Sequence, residues 1–139
     1  MDFLLRNATV VNEMESFRAN VLISNGLIDK IDKSLTISPT SECKEIDLSG
    51  AVVMPGVIDT HVHFREPGLT HKADIFSESK AAVVGGVTSY VDMPNTVPQT
   101  TTRKLHEEKC QLAKNRSFAN YAFYIGATNN NIDELKEAI

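Results

Sequence analysis

Apolar residues follow two different rhythms along this chain. Over roughly the first fifty positions they come in short β-rich runs. Residues 3–5, 9–11 and 21–24 predict strands, because β-branched and large apolar side chains suit a pleated surface. Asn25-Gly26 predicts a hairpin turn, since both residues tolerate positive φ, and residues 27–31 return from it. Residues 32–44 are polar and irregular, with Ser38-Pro39-Thr40 as punctuation, and predict a loop. Residues 46–48 predict one more strand, closed by a turn at Ser49-Gly50. Together these pieces make a small β unit, part of a β-sandwich domain over residues 1–54, too small to stand as a sandwich by itself.

The rhythm changes at Ala51. Ala51-Val52-Val53-Met54 leads through Pro55-Gly56 into an apolar strand over residues 57–64. From Asp74 to Val84 the period becomes helical, with Ile75, Phe76, Ser79, Ala82 and Val83 on one face, and Gly85-Gly86 ends that helix. Residues 87–93 predict a second strand, stopped by Pro94. Thr100, Thr101 and Thr102 offer N-caps for a second helix, in which Leu105, Lys109 and Leu112 recur at helical spacing. A third strand follows over residues 118–125, and a third helix opens at Asn131, itself a candidate N-cap.

Strand and helix alternating about every 30 residues predict a parallel βαβ architecture. The fold class is α/β: a small β unit followed, over residues 55–139, by three βα units of a (β/α)₈ barrel. A closed barrel needs eight units and about 250 residues, so the chain is expected to be the opening of a longer one.

Composition narrows the function. Of 139 residues, 42% are hydrophobic and 23% charged, as in ordinary soluble domains. The net charge of −4 and the lack of a basic stripe argue against nucleic acid as a partner. No apolar run approaches the roughly 20 residues that span a bilayer, and residues 1–6 do not open a signal peptide. Cys43 and Cys110 form no CxxC motif; two buried or half-buried thiols in a reducing compartment are expected, with the cytoplasm as the default.

Chemistry concentrates at the end of the first barrel strand. His61 and His63 stand two apart, so they share a strand face about 7 Å apart along the chain. Two imidazoles converging there can share one metal ion, and imidazole nitrogen suits Zn²⁺. Barrel enzymes place their chemistry at this end of the strands. Asp59 lies on the same face, either orienting an imidazole or making a structural hydrogen bond. Arg65 continues the same alternation, which would stand a guanidinium fork beside the metal, suited to gripping a carboxylate. Asn95, in the loop after the second strand, could add an amide donor. His71 reads as a solvent-exposed loop residue, His106 as part of a solvated helix face, and Asp92 as a strand end that could support the site.

Pro55-Gly56-Val57-Ile58-Asp59-Thr60-His61-Val62-His63 resembles the first-strand signature of the amidohydrolase superfamily. The continuation Phe64-Arg65-Glu66-Pro67-Gly68-Leu69-Thr70-His71-Lys72, with Met93-Pro94-Asn95-Thr96, closely resembles the dihydroorotases. The similarity runs from about Pro55 to Thr102. It implies that His61 and His63 ligate the more buried metal of a one- or two-zinc site. It implies that Arg65 and Asn95 bind the carboxylate of dihydroorotate or N-carbamoyl-L-aspartate, interconverted in pyrimidine synthesis. The family's catalytic Asp, bridging ligand and two further histidines come from later strands. No catalytic residue is therefore expected within these 139 residues, and the chain alone is expected to be inactive. The resemblance leaves open a homodimer and an association with aspartate carbamoyltransferase. Hydantoinases or dihydropyrimidinases, allantoinases, and a non-catalytic dihydroorotase-like subunit are the alternatives. The first lack the Arg65-Glu66-Pro67-Gly68 and Met93-Pro94-Asn95 combination, and the second usually lack the equivalents of Arg65 and Asn95.

Overall fold

The computed structural model describes residues 1–38 and 43–137. Pro39 and Thr40 of the expected loop punctuation, and the last two positions of the expected third helix, lie outside the described residues. The chain divides into two compact units, Met1–Pro55 and Gly56–Ile139.

The first unit holds strands β1 (Asp2–Asn12), β2 (Glu15–Ser24), β3 (Leu27–Asp32), β4 (Cys43–Asp47) and β5 (Val52–Val53). They form one sheet in the order β3-β2-β1-β4, with β5 also pairing β1. The β1–β2 and β2–β3 pairs are antiparallel, whereas β4 and β5 run parallel to β1. The two runs expected at 3–5 and 9–11 are one strand. Its ladder slips between Leu5 and Ala8, where Asn7 takes a positive φ of 58°. Such a bulge leaves an amide unpaired, and the buried Asn20 side chain accepts it, Asn7 N to Oδ1, at 3.0 Å. The slip brings Leu5, Ala8 and Val10 onto one face with Ala19 and Val21, the buried cluster of this unit.

The β1–β2 turn was not visible in the sequence. Glu13 and Met14 both adopt positive φ, 48° and 67°, in a two-residue connection that ordinarily selects Asn and Gly. The Asn25-Gly26 turn, at 52° and 77°, follows that preference.

The second unit alternates β6 (Val57–Val62), α1 (Ile75–Val84), β7 (Val87–Asp92), α2 (Arg103–Ala113), β8 (Asn120–Phe123) and α3 (Ile132–Glu137). Its sheet runs β6-β7-β8, all parallel. Each strand lies beside its predecessor, the order in which a (β/α)₈ barrel is wound. Phe64, Ile75, Tyr90, Ala113, Ala119 and Phe123 make the core between sheet and helices. The Phe64 and Tyr90 rings sit 4.4 Å apart, a spacing at which tilted aromatics attract. The Tyr90 hydroxyl meets Ser117 Oγ at 3.1 Å, and burial pushes its pKa up to about 12.

Local chemistry sets the helix ends. Asp74 caps α1 by accepting the Ser77 amide at 2.8 Å, and Thr102 caps α2 by accepting that of Leu105 at 3.2 Å. At the other end of α1, Gly86 takes the left-handed conformation at φ 91° and returns its amide to Val83 O. Asn131 departs from its expected capping role. Its side chain turns back, accepting the Thr128 amide at 2.7 Å and donating to Thr101 O and Gly126 O at 2.7 and 2.8 Å. Among the described residues no helix is long and apolar enough to cross a membrane.

Candidate metal centre

The site forms where β6 and β7 end. Their ladder slips between Val57 and Ile58 and again between Asp59 and Val62, where it resumes at Val62↔Asp92 one residue out of step. The irregularity re-aims the side chains of the strand end. It also leaves the His61 amide without its ladder partner, and Asp59 Oδ1 accepts it at 3.0 Å. Of the two roles open to Asp59, this is the structural hydrogen bond.

His61 and His63 come together with ring centroids 5.2 Å apart, edge to face. His63 Nδ1 lies 2.9 Å from Asn95 Oδ1. With that oxygen as acceptor, Nδ1 carries the ring proton and the Nε2 lone pair is free to bind a metal. Among the described residues no group of three or more His, Cys, Asp or Glu is placed to hold a metal ion. The histidines therefore fit zinc as two of its ligands, one short of the usual catalytic set of three.

Arg65 does not continue the strand alternation, contrary to expectation. β6 stops at Val62, and Arg65 takes a positive φ of 68°. A non-glycine residue held there stores about 1–3 kcal/mol of strain, so its neighbours must fix it. On one side the Phe64 amide donates to Asp92 Oδ1 at 2.9 Å. On the other, Glu66 is buried. Its Oε2 accepts the Ile75 amide at 3.0 Å and its Oε1 pairs with Arg116 at 2.7 Å. Arg65 is the half-buried residue between two buried anchors.

The turn beyond is clamped to the Asn95 loop. Val97 N donates to Pro67 O at 3.1 Å. Gly68, at φ 80°, lies so close to the Val97 carbonyl that a Cβ there would overlap it. Within the Asn95 loop, Thr96 N and Thr100 N both donate to Pro94 O, at 2.9 and 3.0 Å, and Gly126 N donates to Thr100 O at 2.8 Å. A hollow of about 130 Å³ opens beside Asn95, against Gln99, Thr101 and Gly126. A larger one, about 670 Å³, lies along α2 between Pro67, Pro98 and Leu112 and includes neither histidine of the pair; chemistry, not size, picks the site.

Of the other candidates, His71 is exposed. His106 is not on a solvated face: its Nε2 lies 3.1 Å from Phe123 O and its ring stands edge-on to Phe123. Cys110 is half-buried, and burial pushes its thiol pKa up, away from the reactive thiolate. The largest departure concerns Asp92 and Lys109, both about 1% exposed. Lys109 Nζ sits 2.7 Å from Asp92 Oδ2 and donates to Met93 O at 2.9 Å. The Oδ2 contact is ionic, lying off the hydrogen-bond direction. A lysine on the apolar face of α2, in line with Leu105 and Leu112, was the one trace of this pair in the sequence.

Three comparisons with known proteins agree on a family. Residues 52–138 match the Amidohydrolase family. The chain is 40% identical over 136 residues to a dihydroorotase of Methanosarcina acetivorans, covering 98% of this chain and 28% of that one. It is 36% identical over 138 residues to an allantoinase of Deinococcus radiodurans, covering 99% of this chain and 30% of that one. Among solved structures, an L-hydantoinase (dihydropyrimidinase) from Arthrobacter aurescens superposes with a TM-score of 0.91 at 31% identity, covering 99% of this chain and 30% of that one. The chain belongs to the amidohydrolase family, and its second unit is the start of that family's (β/α)₈ barrel. Its relatives act on cyclic amides by name, and it spans 28% to 30% of the length of the two curated relatives above.

Proposed function

We propose that this chain supplies the first metal ligands and part of the substrate grip of a zinc-dependent dihydroorotase, acting in the cytoplasm in pyrimidine synthesis. The observation that carries the reading is the convergence of His61 and His63 with Asn95 beside Arg65's strained turn. His61 and His63 would hold a zinc of a one- or two-zinc site, His63 through the nitrogen that Asn95 leaves free. Bound there, zinc would polarise the ring amide carbonyl and lower the pKa of a water to about 7. Arg65 offers a planar fork to the substrate carboxylate, and Asn95 adds its remaining amide hydrogens. The strain stored at Arg65 is of the kind that clusters at binding sites. The proton carried to the leaving nitrogen is assigned to an aspartate outside these residues.

A second reading, an allantoinase, is favoured by the Deinococcus radiodurans relative and by the shared Glu66-Pro67-Gly68 turn. Arg65 and Asn95 decide between the two. In the full-length protein, Arg65→Ala is expected to raise KM for dihydroorotate while zinc content stays at the wild-type level. Unchanged dihydroorotate turnover in that variant would remove the substrate assignment.

A further inference from the structure

The buried Asp92–Lys109 pair touches neither of the proposed metal ligands, yet both sides of the site are tied to it. Asp92 Oδ1 accepts the amide of Phe64, the residue between His63 and Arg65. Lys109 Nζ donates to the carbonyl of Met93, two residues before Asn95. Met93 N in turn donates to Val62 O at 3.0 Å, and Tyr124 N to Asp92 O at 3.1 Å. The chain just past β6, through Phe64, and α2, through Lys109, thus meet at the carboxylate that ends β7, while Tyr124 joins through the Asp92 backbone carbonyl. An ion pair this deep gives weak net stability against an apolar replacement, so stability alone does not account for charges at this point.

We infer that Asp92 is a positioning residue for the metal site: by accepting the Phe64 amide it sets the backbone that carries His63. The inference rests on reading His61 and His63 as zinc ligands. The chemistry needs a fixed acceptor here because β6 has left its ladder by Phe64. Without one, the backbone carrying His63 and Arg65 has no polar tie to β7 at that position, and the imidazole loses its approach to the metal.

Two neutralised variants of the full-length protein separate positioning from folding. Asp92→Asn with Lys109→Met keeps an acceptor for the Phe64 amide. Asp92→Leu with Lys109→Met replaces the pair by apolar groups and removes the acceptor. Zinc affinity, measured by competition with a chelator, is expected to stay near wild type in the first. In the second it is expected to fall about 10- to 100-fold at a comparable Tm. Equal zinc affinity in the two folded variants would overturn the inference. Should the Leu variant not fold, Asp92→Val with Lys109→Met takes its place: zinc affinity clearly below that of the Asn variant supports the inference, and equal affinity contradicts it. Dihydroorotate turnover is read in parallel. Wild-type protein that binds zinc and leaves dihydroorotate unchanged overturns the substrate reading alone.

Discussion

Asp32 and Asp92 each end a strand, β3 in the first unit and β7 in the second, and each is buried. Their partners differ completely. Asp32 is served by its own loop: Ser34 N donates at 2.9 Å, Thr36 N at 2.9 Å and Ile37 N at 3.1 Å, with both hydroxyls joining in. Asp92 is served by Phe64, 28 residues earlier, and by Lys109 on the following helix. The first carboxylate folds a few residues and needs no cation. The second joins separate elements and is buried with a counter-charge. A local hub shapes its own loop, whereas a distant one sets the relative positions of strands, which is what a site built from several strand ends requires.

The sharpest way to break the contrast is Lys109→Met by itself. It leaves the Asp92 charge buried and unpaired, and about 3–5 kcal/mol of stability is expected to be lost in denaturant unfolding. Asp92→Asn added to it should recover most of that loss. Glu66 is an intermediate case, tied both to Ile75 nearby and to Arg116 across the unit. Glu66→Ala is expected to cost about 1–3 kcal/mol by the same measurement and to loosen the Arg65 turn, seen as faster amide exchange at Leu69. Thr102→Ala removes only a helix cap, about 1 kcal/mol, with fraying confined to the first turn of α2.

Asp32→Asn should be the most local change, and pH is its cleanest readout. Hydrogen bonds from Ser34 and Thr36 hold the Asp32 carboxyl well below the usual carboxylate range. A carboxyl whose pKa is depressed by folding stabilises the native state above its unfolded value, about 3.9. That contribution fades as pH falls toward the folded value. Wild type is therefore expected to exceed Asp32→Asn in Tm above about pH 4, with the gap closing in acid. A gap that widens in acid would reverse the assignment.

The same contrast explains what the sequence revealed. Features written in neighbouring residues were legible: the Asn25-Gly26 turn, the threonine cap of α2, the Gly85-Gly86 helix end and the strand–helix alternation. The histidine pair was legible because the spacing of two keeps both rings at one strand end. What failed depended on pairing across distance. The continuous β1 was hidden because its bulge at Asn7 is satisfied by Asn20, and the Glu13–Met14 turn because its residues carry no turn chemistry. Arg65 was placed on the strand face by alternation, which stops being valid once β6 ends at Val62. Asn131 was read as a cap, yet its partners are the carbonyls of Thr101 and Gly126. His106 was taken for a solvated residue because its acceptor, Phe123 O, lies on β8, beyond its own helix.

The most direct test of the central claim is turnover by the zinc-loaded full-length protein, assayed in parallel on L-dihydroorotate, allantoin and hydantoin. Hydrolysis of dihydroorotate, abolished by His61→Ala or His63→Ala and weakened through KM by Arg65→Ala, is the expected result. Turnover of allantoin or hydantoin with dihydroorotate left intact, or dihydroorotate turnover that survives loss of both histidines, would contradict it.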